Sequence, residues 1–153
     1  MTVLRGREKG ETRKEKFHLN IAAEQGNAEA QLNLAHMYAT GNYVEQSDTH
    51  AIELYEMAAK GGLASAMFWL GQFYGNGTHG LIQSDQRAFE YYALAAEQRD
   101  AEAQVRLGGF YLEGKSVEQS IVKARELFTK SAAQENESAI SVIKKLDAAG
   151  VYK

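Results

Sequence analysis

The sequence predicts an all-α protein in which pairs of helices stack into a solenoid. An Ala-Ala pair recurs along the chain with its second member at Ala23, Ala59 and Ala96, and Ala132 follows at the same spacing of 36 or 37 residues. Self-similarity at a period of this length is typical of stacked helix pairs. Proline, which breaks helix interiors, is absent from the 153 residues. These observations predict helices throughout the chain and give no sign of a sheet.

Each repeat is predicted to contain two helices joined at a glycine. In the middle repeat, apolar residues at helical spacing indicate a first helix from about Ala64 to Asn76. Gly77 follows that helix, where a left-handed C-cap conformation suits glycine. The second helix begins after an N-cap residue, either Ser84 or the following Asp85, and ends at about Ala96. The outer repeats carry the same glycines and serines at the equivalent positions: Gly41, Gly114, Ser47 and Ser120.

Two positions in each repeat indicate close packing between the helices. The first helix always has a small residue at one interior position: Ala35, Gly71 and Gly108. A glycine inside a helix costs about 1 kcal/mol relative to alanine, so its presence indicates a close approach of another helix. The second helix carries an equivalent aromatic residue that we expect to lie in the core: Tyr55, Tyr92 and Phe128.

The repeats organise the chain as a single domain over residues 1–153 with about eight helices. A half repeat at about 13–24 matches only a second helix, and a terminal half repeat at about 132–147 matches only a first helix. Three full repeats lie between them, at about 23–58, 59–95 and 96–131. Lys144 and Lys145 make the last helix polar, which is typical of a helix that caps a repeat stack.

Composition excludes several classes of function. The net charge of −3, from 17 basic and 20 acidic residues, gives no basic face for nucleic acid. Without cysteine there is neither a disulfide framework nor a thiolate nucleophile. The sequence contains no apolar run long enough to span a membrane and no signal-peptide pattern. We therefore expect a cytoplasmic protein, the alternative being an exported form from which the leader has been removed.

The repeated residues also resemble a known family. The order of Ala-Ala, Ala64-x-Ala66, Leu70-Gly71, Tyr74 and Gly77 is similar to the Sel-one-like repeat (SLR) family, relatives of the tetratricopeptide repeats. The resemblance covers about residues 15–146. It implies a right-handed superhelix of antiparallel helix pairs, and a scaffold or adaptor function, most often in bacteria. Three positions where the family has glycine depart from its pattern, and we expect these departures to affect loop shape: Tyr43, Arg99 and Ser116.

No motif in the sequence predicts catalysis. The nucleophile elbow, the P-loop and the His-Glu-x-x-His zinc motif are all missing. The histidines His18, His36, His50 and His79 lie too far apart in sequence to suggest a zinc site. We therefore expect a protein that is not an enzyme and that requires no cofactor or metal.

The candidate partner-binding residues lie where the repeats vary rather than agree. In solenoids of helix pairs, the first helices line a concave face that can hold a peptide or a partner's helix. Trp69 has polar equivalents, Asn33 and Arg106, so we expect it to face outward as an interface anchor. The alternative is that Trp69 packs against its neighbours and only fills space. The candidate surface comprises Glu29, Asn33, His36, Phe68, Trp69, Gln72, Arg106 and Lys145.

The sequence therefore predicts a non-enzymatic interaction module that binds a partner protein or peptide through this concave groove. One alternative is a bacterial immunity protein that inhibits a cognate toxin, an idea suggested by the small size. Another is a small-ligand or enzymatic protein that uses His36, Glu29 and Arg106, the nearest titratable set. A further alternative is self-association through the solenoid ends. We expect neither a nucleic-acid partner nor a membrane span.

Overall fold

The computed structural model describes the backbone of residues 2–153 and the side chains from residue 13 onward. Over that range the chain forms eight α-helices and no strand, which confirms the predicted all-α class. The helices are α1 (Thr2–Glu24), α2 (Ala28–Thr40), α3 (Asp48–Lys60), α4 (Ala64–Asn76), α5 (Asp85–Glu97), α6 (Ala101–Glu113), α7 (Ile121–Ala132) and α8 (Glu137–Ala148).

Helix α1 is longer than the predicted half repeat. The repeat comparison places its start near residue 13, whereas the helix begins at Thr2. The added part has no counterpart elsewhere in the chain, so self-comparison cannot detect it. It is rich in arginine, glutamate and lysine, which are good helix formers.

The chain up to Ala66 forms one compact unit, in which α2 contacts both α1 and α3. Its core includes Ala23 of α1 together with Ala30 and Leu34 of α2, all buried. Leu19 packs against this cluster from α1. The small side chains allow the helices to approach closely, and the larger leucines fill the remaining space.

The chain from Met67 onward forms a second compact unit, in which α6 contacts α5 and α7, and α7 contacts α8. Leu70, Tyr92 and Phe128 are buried in its core. A Cβ atom built on Gly71 would lie 2.7 Å from Cε1 of Tyr92, and one on Gly108 would lie 2.7 Å from Cε1 of Phe128. The predicted close approach at these glycines is confirmed.

The predicted helix ends are also confirmed. Ser47 accepts a hydrogen bond from the backbone N–H of His50, and the equivalent bonds join Ser84 to Arg87 and Ser120 to Lys123. The three joint glycines adopt left-handed backbone conformations: Gly41, Gly77 and Gly114, with φ of 73°, 63° and 68°.

The residues that replace the family glycines keep left-handed backbone conformations. Tyr43 and Ser116 adopt φ of 61° and 59°, close to the 74° of Gly80 at the equivalent position. Arg99 likewise adopts φ of 66°, in the left-handed region that Gly26 occupies at φ 86°. These residues accept an unfavourable backbone conformation because the flanking helices fix the course of the loop.

Candidate partner-binding site

The candidate residues fall in both compact units, which are described separately. The unit that ends at Ala66 holds Glu29, Asn33 and His36, all on α2. The unit that begins at Met67 holds Phe68, Trp69 and Gln72 on α4, Arg106 on α6 and Lys145 on α8.

A surface groove of about 560 Å³ lies beside α2 in the first unit. It brings together Asn33 and His36, while Glu29 is exposed in the first turn of α2 outside the lining. The residues that line this groove, hereafter the α2 groove, are Glu15, Leu19, Asn33, His36, Met37, Thr40, Asn42 and Tyr43.

His36 is held at the α2 groove by a tyrosine from the next helix. Its Nδ1 lies 2.6 Å from the hydroxyl of Tyr55, and the two rings meet edge to face with centroids 5.3 Å apart. Burial lowers the pKa of His36 and raises the pKa of Tyr55 to about 12. Burial thus favours the neutral imidazole, and the hydrogen bond with Tyr55 fixes the position of the ring.

In the second unit, Trp69 is both packed and exposed. Its ring stacks on Phe73 with centroids 5.9 Å apart, and it meets Phe68 edge to face at 5.7 Å. The residue nevertheless keeps 37% of its surface exposed. The contacts hold the ring in place, while more than a third of the residue remains accessible to a partner.

Tyr92 links α4 to α6 beside Trp69. Its ring contacts Phe68 of α4 and Phe110 of α6, each at a centroid distance of 5.9 Å. Its hydroxyl donates to Oε1 of Gln72 at 2.5 Å. Burial raises the pKa of Tyr92 to about 12, and the positive charge of Arg106 acts in the opposite direction. Gln72 and Arg106 thus both lie near one buried tyrosine.

These tyrosine hydroxyls are the part of the site that the sequence analysis missed. It treated Tyr55 and Tyr92 only as core aromatics, but each bonds a candidate residue 19 or 20 positions earlier in the chain. The third repeat has Phe128 in place of the tyrosine and Gly109 in place of the polar partner. The third repeat thus lacks both the hydroxyl and the side chain that would bond it. Comparing these two positions across the three repeats would have indicated that they form a hydrogen-bonded pair.

The surface of α6 next to Arg106 is open. A Cβ atom built on Gly109 would meet nothing within 4 Å, and Arg106 itself is exposed. Because the two residues are three apart on a helix, they share one face. This stretch of α6, Arg106 together with Gly109, is referred to below as the Arg106 patch.

Lys145 is exposed on α8, at the position that Gly109 occupies on α6. With Ile140, Ser141 and Lys144 it lines a shallow groove of about 420 Å³. Arg106 is not among the residues that line this groove. The structure therefore does not gather Lys145 and Arg106 into one pocket.

Metal-binding clusters and membrane-spanning helices are both missing among the residues that the structure describes. Among them, no group of three or more histidine, aspartate or glutamate side chains could hold a metal ion. No helix in the described part of the chain is long and apolar enough to cross a bilayer.

The contacting helix pairs, their small interior residues and their glycine joints define a helical-repeat solenoid. The Sel1 repeat matches this chain three times, at residues 28–63, 64–100 and 101–136. The chain belongs to the Sel1 repeat family, and the predicted SLR resemblance is confirmed. Sel1 repeat proteins are generally non-catalytic scaffolds for protein interaction.

Solved structures support the same assignment. A Sel1 repeat protein from Oxalobacter formigenes is 35% identical, with a TM-score of 0.83 over 86% of this chain and 98% of its own. The protective antigen c5321 of uropathogenic Escherichia coli, which displays an SLR fold, is 30% identical. Its TM-score is 0.84, over 88% of this chain and 29% of its own.

The cysteine-rich protein B of Helicobacter pylori shares the fold at 22% identity, with a TM-score of 0.64 over 83% of this chain and 96% of its own. No curated protein sequence matches this chain. The predicted all-α solenoid is confirmed by these structural neighbours.

Proposed function

We propose that this chain is a non-enzymatic interaction module that binds a partner protein or peptide through its first helices, with Trp69 as the anchor. The observation that carries the proposal is the state of Trp69, which is 37% exposed although its ring is held by Phe68 and Phe73. The general role of Sel1 repeat proteins as interaction scaffolds supports it.

A ring that is already ordered is well suited to binding. A side chain that is fixed before the partner arrives loses little conformational entropy on association. Tryptophan also offers a large apolar surface, and it is enriched among the few residues that dominate binding energies. The rigid aromatic set around Trp69 therefore favours a recognition surface over a simple space-filling role.

Polar groups around the anchor supply directional contacts. The hydroxyl of Tyr92 donates a hydrogen bond to Oε1 of Gln72, and the amide group of Gln72 still has its N–H donors. In the other unit, the α2 groove presents the Asn33 amide beside the His36 ring, which Tyr55 holds in place. Each unit thus offers fixed polar groups beside apolar surface, as binding sites generally do.

We predict that Trp69→Ala weakens partner binding at least about tenfold, because truncating an aromatic anchor commonly costs about 2 kcal/mol or more. The free energy of unfolding should fall by only about 1 kcal/mol, since one side of the ring already faces water. The partner is first isolated by affinity capture from native lysate, and its Kd is then measured by calorimetry.

A matched control is Leu94→Ala on α5, which removes an apolar side chain that is 46% exposed. Leu94 belongs to a second helix, so this variant should bind the partner as tightly as the unaltered protein. Equal binding by Trp69→Ala and the unaltered protein would show that the anchor lies elsewhere.

The alternative functions that the sequence suggests, an immunity protein and a small-ligand or enzymatic protein, stay predictions. An immunity function requires that co-expression of this chain rescues cells from the toxin of a neighbouring gene. A small-ligand or enzymatic function requires a small molecule that co-purifies with the protein and is detected by mass spectrometry. Cytoplasmic localisation also stays a prediction.

A further inference from the structure

We infer that the partner segment is acidic, with an aspartate or glutamate side chain that seats on the Arg106 patch next to an apolar residue that contacts Trp69. This inference rests on the proposed function and specifies the chemistry of the partner. It is argued from the charge of Arg106, from the space at Gly109 and from the donors that surround them.

The charge of Arg106 is unsatisfied within the part of the chain whose side chains the structure describes. There, Lys115 pairs with Asp85 at 3.3 Å and Arg125 pairs with Asp147 at 2.6 Å, but Arg106 makes no ion pair. A guanidinium presents parallel N–H donors that match the two oxygens of a carboxylate. The exposed Arg106 side chain is therefore suited to an acidic group from a partner.

The nearest acidic groups on α6 do not occupy this position. Glu102, one turn before Arg106, accepts a hydrogen bond from Nδ2 of Asn136 at 2.7 Å. Glu113 lies about two turns beyond Arg106 and follows Gly109 by four residues. One oxygen of Glu102 is thus bonded to the N-cap residue of α8, and the exposed Glu113 bounds the stretch suited to an acidic partner on its C-terminal side.

The space at Gly109 distinguishes the third repeat from the other two. At the equivalent positions, His36 and Gln72 project from the first helix and bond the hydroxyls of Tyr55 and Tyr92. In the third repeat no side chain projects from Gly109, and a Cβ atom there would meet nothing within 4 Å. An incoming acidic side chain can therefore lie along α6 at Gly109 and reach the guanidinium.

Two side chains next to Gly109, those of Arg106 and Gln72, present hydrogen-bond donors. Arg106 has no acceptor atom, and Oε1 of Gln72 already accepts a hydrogen bond from Tyr92. A carboxylate or a backbone carbonyl of the partner can accept from these two side chains, which the ammonium of a lysine cannot do. The aromatic surface of Trp69, close to Gln72 on α4, then selects an apolar residue next to the acid.

The test is a selection of short random peptides against the complete chain, with counter-selection against Trp69→Ala. Recovered peptides without tryptophan are titrated by fluorescence, because Trp69 is the chain's single tryptophan and its emission reports directly on the site. We expect the peptides to pair aspartate or glutamate with an aromatic residue or leucine. Replacing that acid by its amide should weaken binding about tenfold, and so should Arg106→Gln.

Two further variants separate binding from folding. Gly109→Leu fills the open space while it raises helix propensity, so it should weaken binding without loss of stability. Lys130→Gln removes an exposed cation from α7 and should leave binding unchanged.

Each outcome separates the inference from the function on which it rests. Peptides that require Trp69 but are neutral or basic, or that bind Arg106→Gln normally, overturn the acidic partner and leave the interaction surface intact. Peptides that bind Trp69→Ala equally well, or a selection that enriches nothing above background, count against both.

Discussion

Two hydroxyl groups, those of Tyr55 and Tyr92, join the core to the candidate surface. A buried hydroxyl without a hydrogen-bond partner costs about 1–3 kcal/mol, and His36 and Gln72 remove that cost. These two side chains therefore stabilise the fold as well as face the surface. Phe128 has no hydroxyl group that needs a hydrogen-bond partner, so glycine is tolerated at position 109. Substitutions at Trp69 and Arg106 consequently report on binding more cleanly than substitutions at His36 and Gln72.

The burial of His36 predicts a loss of stability in acid. Its pKa is lowered from the ordinary value of 6.5, so below pH 6.5 the unfolded chain binds more protons than the folded chain. The contribution of His36 is complete above pH 6.5 and is lost as the pH falls toward the folded-state pKa. The variant His36→Gln, which carries the residue found at Gln72, should lose less stability over that range.

Denaturant unfolding at neutral pH and at several values below 6.5 measures this difference. His18→Gln, at an exposed position on α1, serves as the control and should retain the acid sensitivity of the unaltered protein. If His36→Gln and the unaltered protein lose the same stability in acid, the buried imidazole is not the source.

At the scale of the helices, the repeat predicted most of the structure because it allows the chain to be compared with itself. The bounds of α4, the serine caps and the glycine joints follow from features present in three copies. The upstream part of α1 has no copy, and its extent was missed. The exposure of Trp69 could be predicted from its polar equivalents. The bond between Tyr92 and Gln72 could not, because it depends on which side chains meet across two helices.

The paired glycines of α6 allow a direct test of this packing. A Cβ atom on Gly108 would lie 2.7 Å from Cε1 of Phe128, a ring that is only 2% exposed and cannot move aside. Gly108→Ala should therefore lower the free energy of unfolding, since overpacking costs about 1–3 kcal/mol and outweighs the gain in helix propensity of about 1 kcal/mol.

Gly109→Ala is the matched control, one residue further along the same helix. Its new Cβ atom meets nothing within 4 Å, so the variant should gain about 1 kcal/mol of stability from helix propensity alone. Urea unfolding of both variants measures the two effects. Equal stabilisation by both substitutions would contradict the close approach of α6 and α7 at Gly108.

At the scale of the whole molecule, the repeat position of Gly108 bears on self-association. Ala35, Gly71 and Gly108 are all buried, and the two glycines contact the aromatic ring of the following helix. The equivalent residue on α8 is Lys144, which is exposed. A second copy that docked a helix on α8 in the same register would bury an ammonium group without a partner, at a cost of several kcal/mol.

We therefore predict that a second copy does not extend the repeat at α8. Sedimentation equilibrium should give the mass of one chain at every concentration across a range of about a hundredfold, because the energetic cost at Lys144 exceeds what the shallow surface of α8 returns. Ile140, which is 36% exposed, is a large apolar residue on that surface, so Ile140→Glu should leave the mass unchanged as well. A mass that rises with concentration, and that Ile140→Glu returns to one chain, would show that α8 does carry an interface between copies.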